Sequence, residues 1–356
     1  MRLLRSLSRT WLVAGSAFLA PQAQPAQQAV YPGASWERIA DPASAGFSRA
    51  RLDSARAYLS TIKTTGVVVA VGGKILLDYG NTSELSYLAS ARKSVLAMLY
   101  GNYVASGKAR LEKTLAELGI DDIGGLTAAE REATLADLLG ARSGVYHAAS
   151  NPGDNLADAP ARGSQRHGTY YLYSNWDFNA LGTIFEQETG RNIYDALETD
   201  LARPIGMEDF DRAAQQKSGD TTRSIHRAYH MWLSTRDMAR LGHLMLRHGV
   251  WSGRQVIPAD WTRRISTAVT RSHEMNPESL RGGRFGYGYL WWIFDGPTAI
   301  GPFEGAYTAM GAVGQYITVL PKLDMVVSHK TKPGNGSVSR DEYLAFLDRL
   351  ISARGK

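Results

Sequence analysis

The feature that most limits the folds open to this chain is a lysine carried into an apolar run. Ser90-Ala91-Arg92-Lys93 leads straight into Ser94-Val95-Leu96-Ala97-Met98-Leu99-Tyr100, long and apolar enough for a buried helix. A helix buried there takes Lys93 in with it, and a buried amine needs partners or loses its charge. Ser90 stands at the first turn, beside unpaired N–H groups and the positive end of the helix dipole. Lys93, three residues on, shares its face. A neutral Lys93 is placed to take the Ser90 hydroxyl proton, which makes Ser90 a candidate nucleophile and Lys93 its base. The competing reading is an ordinary capping serine.

Two decoys in the chain sharpen this reading. Ser60-Thr61-Ile62-Lys63 has the same spacing but runs into Thr65-Gly66-Val67-Val68-Val69-Ala70-Val71, a β-branched run closed by Gly72-Gly73. Ser60 therefore belongs to a helix end and is structural. The second motif is Tyr173-Ser174-Asn175, within Thr169 to Gly182. A tyrosine near a neutral lysine can shuttle a proton, and an asparagine amide can orient lysine or substrate. Tyr100-Gly101-Asn102 has the same form, but ten residues along one helix is about 15 Å of rise, so Tyr100 is out of reach of Ser90. The bland alternative for Tyr173 is a core aromatic with its hydroxyl satisfied. A third segment, Ala309-Met310-Gly311-Ala312-Val313-Gly314-Gln315, leads small residues into the alternating strand Tyr316 to Leu320. Backbone N–H groups of such a turn can join the Ser90 N–H in an oxyanion hole. A sheet strand with a glycine bend is the plainer reading.

Three motifs in this order resemble the serine β-lactamase and penicillin-binding-protein superfamily, whose signatures include Ser-x-x-Lys and Lys-Thr-Gly. The chain is most similar to the class C-like branch, and within it to 6-aminohexanoate-oligomer hydrolases and related carboxylesterases. The likeness is carried by Ser90 to Ser94, Ala141 to His147, Ser174 to Asn179, Ser234 to Arg240 and Gly286 to Trp292, and extends from about Trp36 onward. It implies an α+β, β-lactamase/transpeptidase-like fold: a five-stranded antiparallel sheet flanked by helices, plus a mostly helical region. The sheet part is expected at about 46–80 and 285–330, with a helix and two strands in the first block and three strands in the second. The helical part is expected at about 90–272. Two capping boxes fit that plan, Thr127 with Glu130 opening a helix from Ala128 to Leu139, and Ser234 with Asp237 opening one closed by Gly249. Asn151 to Arg166, rich in Gly, Pro, Asp and Asn, is expected as a long loop near the active site.

One departure bears on substrate. Relatives carry Lys-Thr-Gly or His-Thr-Gly before the third-motif strand, or a histidine in its turn. Here Tyr307-Thr308-Ala309 and Ala312 stand there, and Lys330-Thr331-Lys332 follows the strand system instead. A fixed cation for a substrate carboxylate beside the serine is not supplied, unless Arg92 or Lys330 takes its place.

Residues 1–29 read as a secretory signal. Arg2, Arg5 and Arg9 form a basic start, Trp11 to Ala20 a short apolar core, and Pro21 to Ala29 a small and polar tail. The apolar core is too short to span a bilayer. The formal charge of +6 includes those three arginines and no acid in that segment, so 6 − 3 leaves +3 for residues 30–356, with no nucleic-acid footprint. The absence of cysteine excludes disulfides, thiol catalysis and Cys–zinc sites. His226 and His230 have a four-residue spacing but no His-Glu-x-x-His, and read as scattered polar residues; no Gly-x-Ser-x-Gly elbow occurs.

The expectation is a secreted or periplasmic serine hydrolase, residues 30–356 forming the catalytic domain. It acts on a small-molecule ester or amide through an acyl-enzyme on Ser90, with Lys93 and Tyr173 as proton relay. Asn175, Trp176 and Trp291 orient substrate or lysine, and the N–H groups of Ser90, Ala312 and Val313 hold the oxyanion. No cofactor, metal, nucleic acid or stable membrane insertion is expected. The alternatives are a β-lactamase or D-alanyl-peptidase, a non-catalytic penicillin-binding-like ligand-binding protein, and a metallohydrolase using His226 and His230.

Overall fold

The computed structural model describes residues 29–355. The expected signal segment, apart from Ala29, lies outside them. The helices are α1 (Arg49–Leu59), α2 (Ala91–Ala105), α3 (Leu135–Leu139), α4 (Asn175–Thr189), α5 (Ile193–Ala196), α6 (Thr235–Leu246), α7 (Ala259–Ile265) and α8 (Arg340–Ser352). The strands are β1 (Gly66–Val71), β2 (Lys74–Gly80), β3 (Ser86–Tyr87), β4 (Gln216–Ser218), β5 (Ala228–His230), β6 (Trp232–Leu233), β7 (Val250–Trp251), β8 (Arg254–Gln255), β9 (Phe285–Tyr287), β10 (Trp292–Phe294), β11 (Tyr307–Gly311), β12 (Gln315–Leu320) and β13 (Met325–Lys330). None of the described helices is long and apolar enough to cross a membrane.

The main sheet is antiparallel and ordered β2-β1-β13-β12-β11-β10-β9, so the first two strands complete a sheet whose remainder comes from the end of the chain. It has seven strands, not the expected five. The second block forms five strands, β9 to β13, where three were expected. Gly288 to Trp291 folds into a turn, with the Gly288 N–H donating to Trp291 O at 2.8 Å and Leu290 left-handed at φ 61. Two three-residue strands flank it, too short to leave a period in the sequence.

Alternation along the strands builds two cores. Val67, Val69 and Val327 face α1 and α8 with Leu59, Phe346 and Leu350. Ile317, Val319 and Val326 face the other way, with Leu241 and Leu244 of α6 and Val95 and Leu96 of α2. Gly242 permits the second contact, since a Cβ there would lie 2.5 Å from Val326 Cγ1 and 3.0 Å from Ile317 Cγ2. The 90–272 region is less helical than expected, because β4 to β8 lie between its helices, β4 pairing with β5, β7 with β8, and β6 with β3 just ahead of the region. Thr127 and Glu130 do exchange their capping bonds, but these close a single turn at Glu130–Glu132. Ala133 then turns out of helical geometry at ψ 137, and Thr134 with Asp137 starts α3 afresh. Ser234 caps α6 as expected, while Asp237 turns its carboxylate to the N–H groups of Glu208 and Asp209.

Candidate active site

Ser90 is the N-cap residue of α2, and its own φ/ψ of −72°/−13° is already helical. The residue before it, Ala89, is left-handed at φ 48, unusual for a residue with a side chain and a signal absent from the sequence. This kink joins β3 to the helix. Among the described residues the Ser90 N–H has no hydrogen-bond acceptor, whereas the next N–H, of Ala91, donates to Leu88 O at 3.2 Å.

Lys93 is buried, as are the residues around it on α2. Its Nζ lies 3.1 Å from Ser90 Oγ, 2.6 Å from Tyr173 Oη and 2.6 Å from Asn175 Oδ1. Burial holds the Lys93 ammonium well below the ordinary lysine range, the Arg92 charge pushes the same way, and Asp154 opposes both. Burial pushes the Tyr173 hydroxyl up to about 12, against the hydrogen bond to Ser90 and the Arg92 charge. The site thus holds a disfavoured ammonium beside a disfavoured phenolate, the state in which amine and phenol are both neutral.

Tyr173 and Asn175 reach Lys93 from the start of α4, and the 151–166 loop fixes them. Asn155 N donates to Tyr173 O at 2.9 Å, Asn175 Nδ2 donates to Pro152 O at 2.9 Å, and Asp154 Oδ2 accepts from Asn175 N at 2.9 Å. With Oδ1 the acceptor facing Lys93, the Asn175 amide is held at both ends. Arg92 turns from the cleft to Asn179 Oδ1 at 3.2 Å and over the Tyr229 ring at 4.8 Å. Asn179 in turn donates to Asn151 Oδ1 at 2.8 Å, tying the same loop to α4.

These groups open on a cleft of about 340 Å³ lined by Ser90, Gly153 to Asn155, Tyr173, Leu280, Trp292 and Met310 to Ala312. The end of β11 is pressed against the start of α2, for a Cβ on Gly311 would lie 2.5 Å from Leu88 O and 3.0 Å from Ala91 N. Ala312, just past the strand, has an N–H without an acceptor among the described residues, as Ser90 has. Val313 does not line the cleft: it is left-handed at φ 61 at the turn tip, and its carbonyl accepts from Val338 N at 3.1 Å.

The expectations for the tryptophans need correction. Trp176 is fully buried and donates to Asp122 Oδ2 at 2.7 Å, and Trp291 is fully buried edge-on to Tyr307 at 5.4 Å between ring centroids. Neither lines the cleft. Trp292 does, its ring near-parallel to Tyr173 at 5.6 Å. Trp291 closes the turn and Trp292 opens β10, so the two part, and the sequence does not say which of them meets the cleft. Lys330 does not supply the missing cation, because its Nζ donates to Ser86 O at 2.7 Å and to Leu233 O. Among the described lining residues none is Lys, Arg or His, and Asp154 is the one carboxylate. His226 and His230 do not converge: His226 meets Thr183 Oγ1 and Asp121 O, while His230 meets Tyr87 Oη.

A profile of the Beta-lactamase family matches residues 53–347. The chain is 27% identical over 101 residues to an uncharacterised protein of Alkalihalophilus pseudofirmus, a match that takes in 27% of this chain and only 28% of that protein's length. Its fold is similar to that of a Bacillus anthracis protein assigned as a 6-aminohexanoate-dimer hydrolase, with a TM-score of 0.62, 22% identity, and 83% and 79% of the two chains covered. It is also similar to EstCE1, described as a hydrolase with promiscuous acyltransferase activity, with a TM-score of 0.61, 15% identity, and 85% and 97% covered. Likeness at these identities speaks to fold alone.

Proposed function

The chain belongs to the beta-lactamase family, and from that premise we propose that it is a serine hydrolase cleaving an ester or amide bond through an acyl-enzyme on Ser90. The observation that carries this reading is the Lys93 amine, buried and within 3.1 Å of Ser90 Oγ and 2.6 Å of both Tyr173 Oη and Asn175 Oδ1. An amine kept neutral has a lone pair to give.

Ser90 Oγ attacks the substrate carbonyl carbon as its proton passes to Lys93 Nζ. The new Oγ–C bond pushes the carbonyl electron pair onto oxygen, where the N–H groups of Ser90 and Ala312 receive it. The tetrahedral adduct then expels the leaving alkoxide or amine, which takes the Lys93 proton relayed through the Tyr173 hydroxyl. Water repeats the sequence on the acyl-enzyme, its proton passing to Lys93 and then to Ser90 Oγ as the acid is released. The raised pKa of Tyr173 supports Lys93 as the resting base and Tyr173 as the carrier.

The test is covalent labelling by a fluorophosphonate with peptide mapping. The wild type is expected to carry the label on Ser90, Ser60→Ala to keep it, and Ser90→Ala to lose it together with about 10³-fold or more in kcat on a p-nitrophenyl ester. Full labelling and turnover in Ser90→Ala would refute the proposal.

A further inference from the structure

Lys93 is not the only basic side chain that α2 carries into the interior. Arg92 beside it is 1% exposed, and its partners among the described residues are neutral. Asn179 Oδ1 accepts from Nη2 at 3.2 Å, the Tyr229 ring centroid lies 4.8 Å from Cζ, and Nε is buried with no hydrogen-bond partner. A buried charge is ordinarily paired with an opposite one, and leaving it unpaired is costly. The supports of this guanidinium are nonetheless fixed. Asn175 and Asn179 stand one turn apart on α4 and receive the two side chains in parallel, Lys93 at 2.6 Å and Arg92 at 3.2 Å. Their amide nitrogens donate in turn to two consecutive residues of the loop, to Pro152 O at 2.9 Å and to Asn151 Oδ1 at 2.8 Å. Tyr229 is pressed onto the same helix, for a Cβ on Gly182 would lie 2.4 Å from its Cδ1.

We propose that Arg92 is a positioning residue for catalysis: its unneutralised charge, held beside Lys93 by Asn179 and the face of Tyr229, keeps the neighbouring amine free of its proton and so able to act as the base. Two positive charges on consecutive residues of a buried helix repel each other. A guanidinium does not give up its proton, so the amine is the group that does. The titratable groups around Lys93 come from several elements: Arg92 on α2, Tyr173 at the start of α4, Asp154 in the loop, Tyr87 on β3, Tyr229 and His230 on β5, and Tyr287 on β9. Burial pushes all four phenols up. Burial, with Arg92 pushing the same way, holds His230 down to about 4. Across the neutral range the charges acting on Lys93 are therefore Arg92, which disfavours its proton, and Asp154, which favours it. The inference rests on the reading of Lys93 as the base of a serine hydrolase and adds the residue that keeps it ready.

The test is the pH profile of kcat/KM on a neutral p-nitrophenyl ester. Arg92→Met keeps the apolar stem and removes the charge, and should move the acid limb up by about one pH unit. Asn179→Asp sets a carboxylate against the intact guanidinium and should move the limb the same way. Asn179→Ala breaks the latch but leaves the charge, and should leave the limb in place whatever it does to kcat. The proposal is overturned by a limb that stays in place in Arg92→Met, or in Asn179→Asp where Arg92→Met does not fold. It is overturned too if Asn179→Ala moves the limb as far as Arg92→Met does, since loss of the latch would then be the cause. Titration of the Lys93 Cε resonance in protein labelled with 13Cε-lysine, assigned by its loss in Lys93→Gln, reads the same midpoint without turnover. A midpoint that rises in Arg92→Met upholds the hold of Arg92 on the amine, including where ester turnover survives Ser90→Ala and the serine reading falls. A midpoint that does not move removes the proposal and leaves the serine reading standing.

Discussion

At the scale of single residues the site is governed by what burial does to Lys93 and Tyr173. Both lose their charged forms to desolvation, in opposite senses of proton count, so the pair rests neutral. The consequence for pH is directional. Lowering the pH through the depressed Lys93 pKa protonates the amine and removes the base, so kcat/KM for a neutral ester should fall on the acid side. No alkaline limb should appear up to about pH 10, because Tyr173 stays protonated well beyond that. Lys93→Arg should abolish turnover as Lys93→Ala does, since arginine keeps its proton. Tyr173→Phe should lose on the order of 10²-fold in rate while folding normally. Stopped-flow profiles across the pH range check all three, and wild-type turnover in Lys93→Arg would make the lysine structural. Ser90 with Lys93, and Tyr173 with Asn175, were legible as two motifs because the spacing within each is local, while the pairing of the two motifs came from the resemblance to the family. Ala89 in its left-handed conformation and the support from Asp154 and Asn155 were not, since each depends on a neighbour far along the chain.

At the scale of elements, the start of α2 is held from two sides. Gly311 brings β11 against it, and Lys330 at the end of β13 donates to carbonyls of both β3 and β6, just ahead of the kink at Ala89. Two carbonyl acceptors match the two N–H bonds of a neutral amine, and burial draws the Lys330 pKa down to about 7 against the pull of Glu84 and Asp237. Between pH 7 and the ordinary lysine value of 10.5 the unfolded chain holds this proton and the fold does not. Stability contributed at this position therefore rises with pH across that window and is constant below it. From pH 7 to about pH 9.5 the wild type should gain on Lys330→Met in urea unfolding, through the rising linkage contribution. A gap that does not move with pH would show that Lys330 stays charged. Element boundaries were legible where a cap was strong, as at Ser234. They failed where a second cap competed, as Thr134 and Asp137 did against Thr127 and Glu130, because local capping bonds of similar strength cannot be ranked without the packing around them.

At the scale of the molecule, charge is distributed in a way that the sequence only half announces. The missing Lys-Thr-Gly cation leaves the walls of the serine cleft with one acid and no base among the described residues. A penicillin holds its carboxylate close to the scissile amide and would set it there unpaired, a costly placement. Benzylpenicillin should therefore be turned over more slowly than p-nitrophenyl butyrate by about 10²-fold or more in kcat/KM, measured side by side on one sample. Equal rates would mean that a cation reaches the serine by a route the fold does not display. By itself the sequence determined the order of the motifs, the buried lysine-bearing helix and the antiparallel sheet assembled from both ends of the chain. The first two follow from short-range spacing, which is a property of neighbours along the backbone, whereas the sheet was implied by the resemblance to the family. Only the tertiary structure decided the seven-stranded sheet, which tryptophan lines the cleft, and where Lys330 points. Those outcomes are set by contacts between segments up to hundreds of residues apart, and burial and charge pairing exist only once the chain has closed on itself.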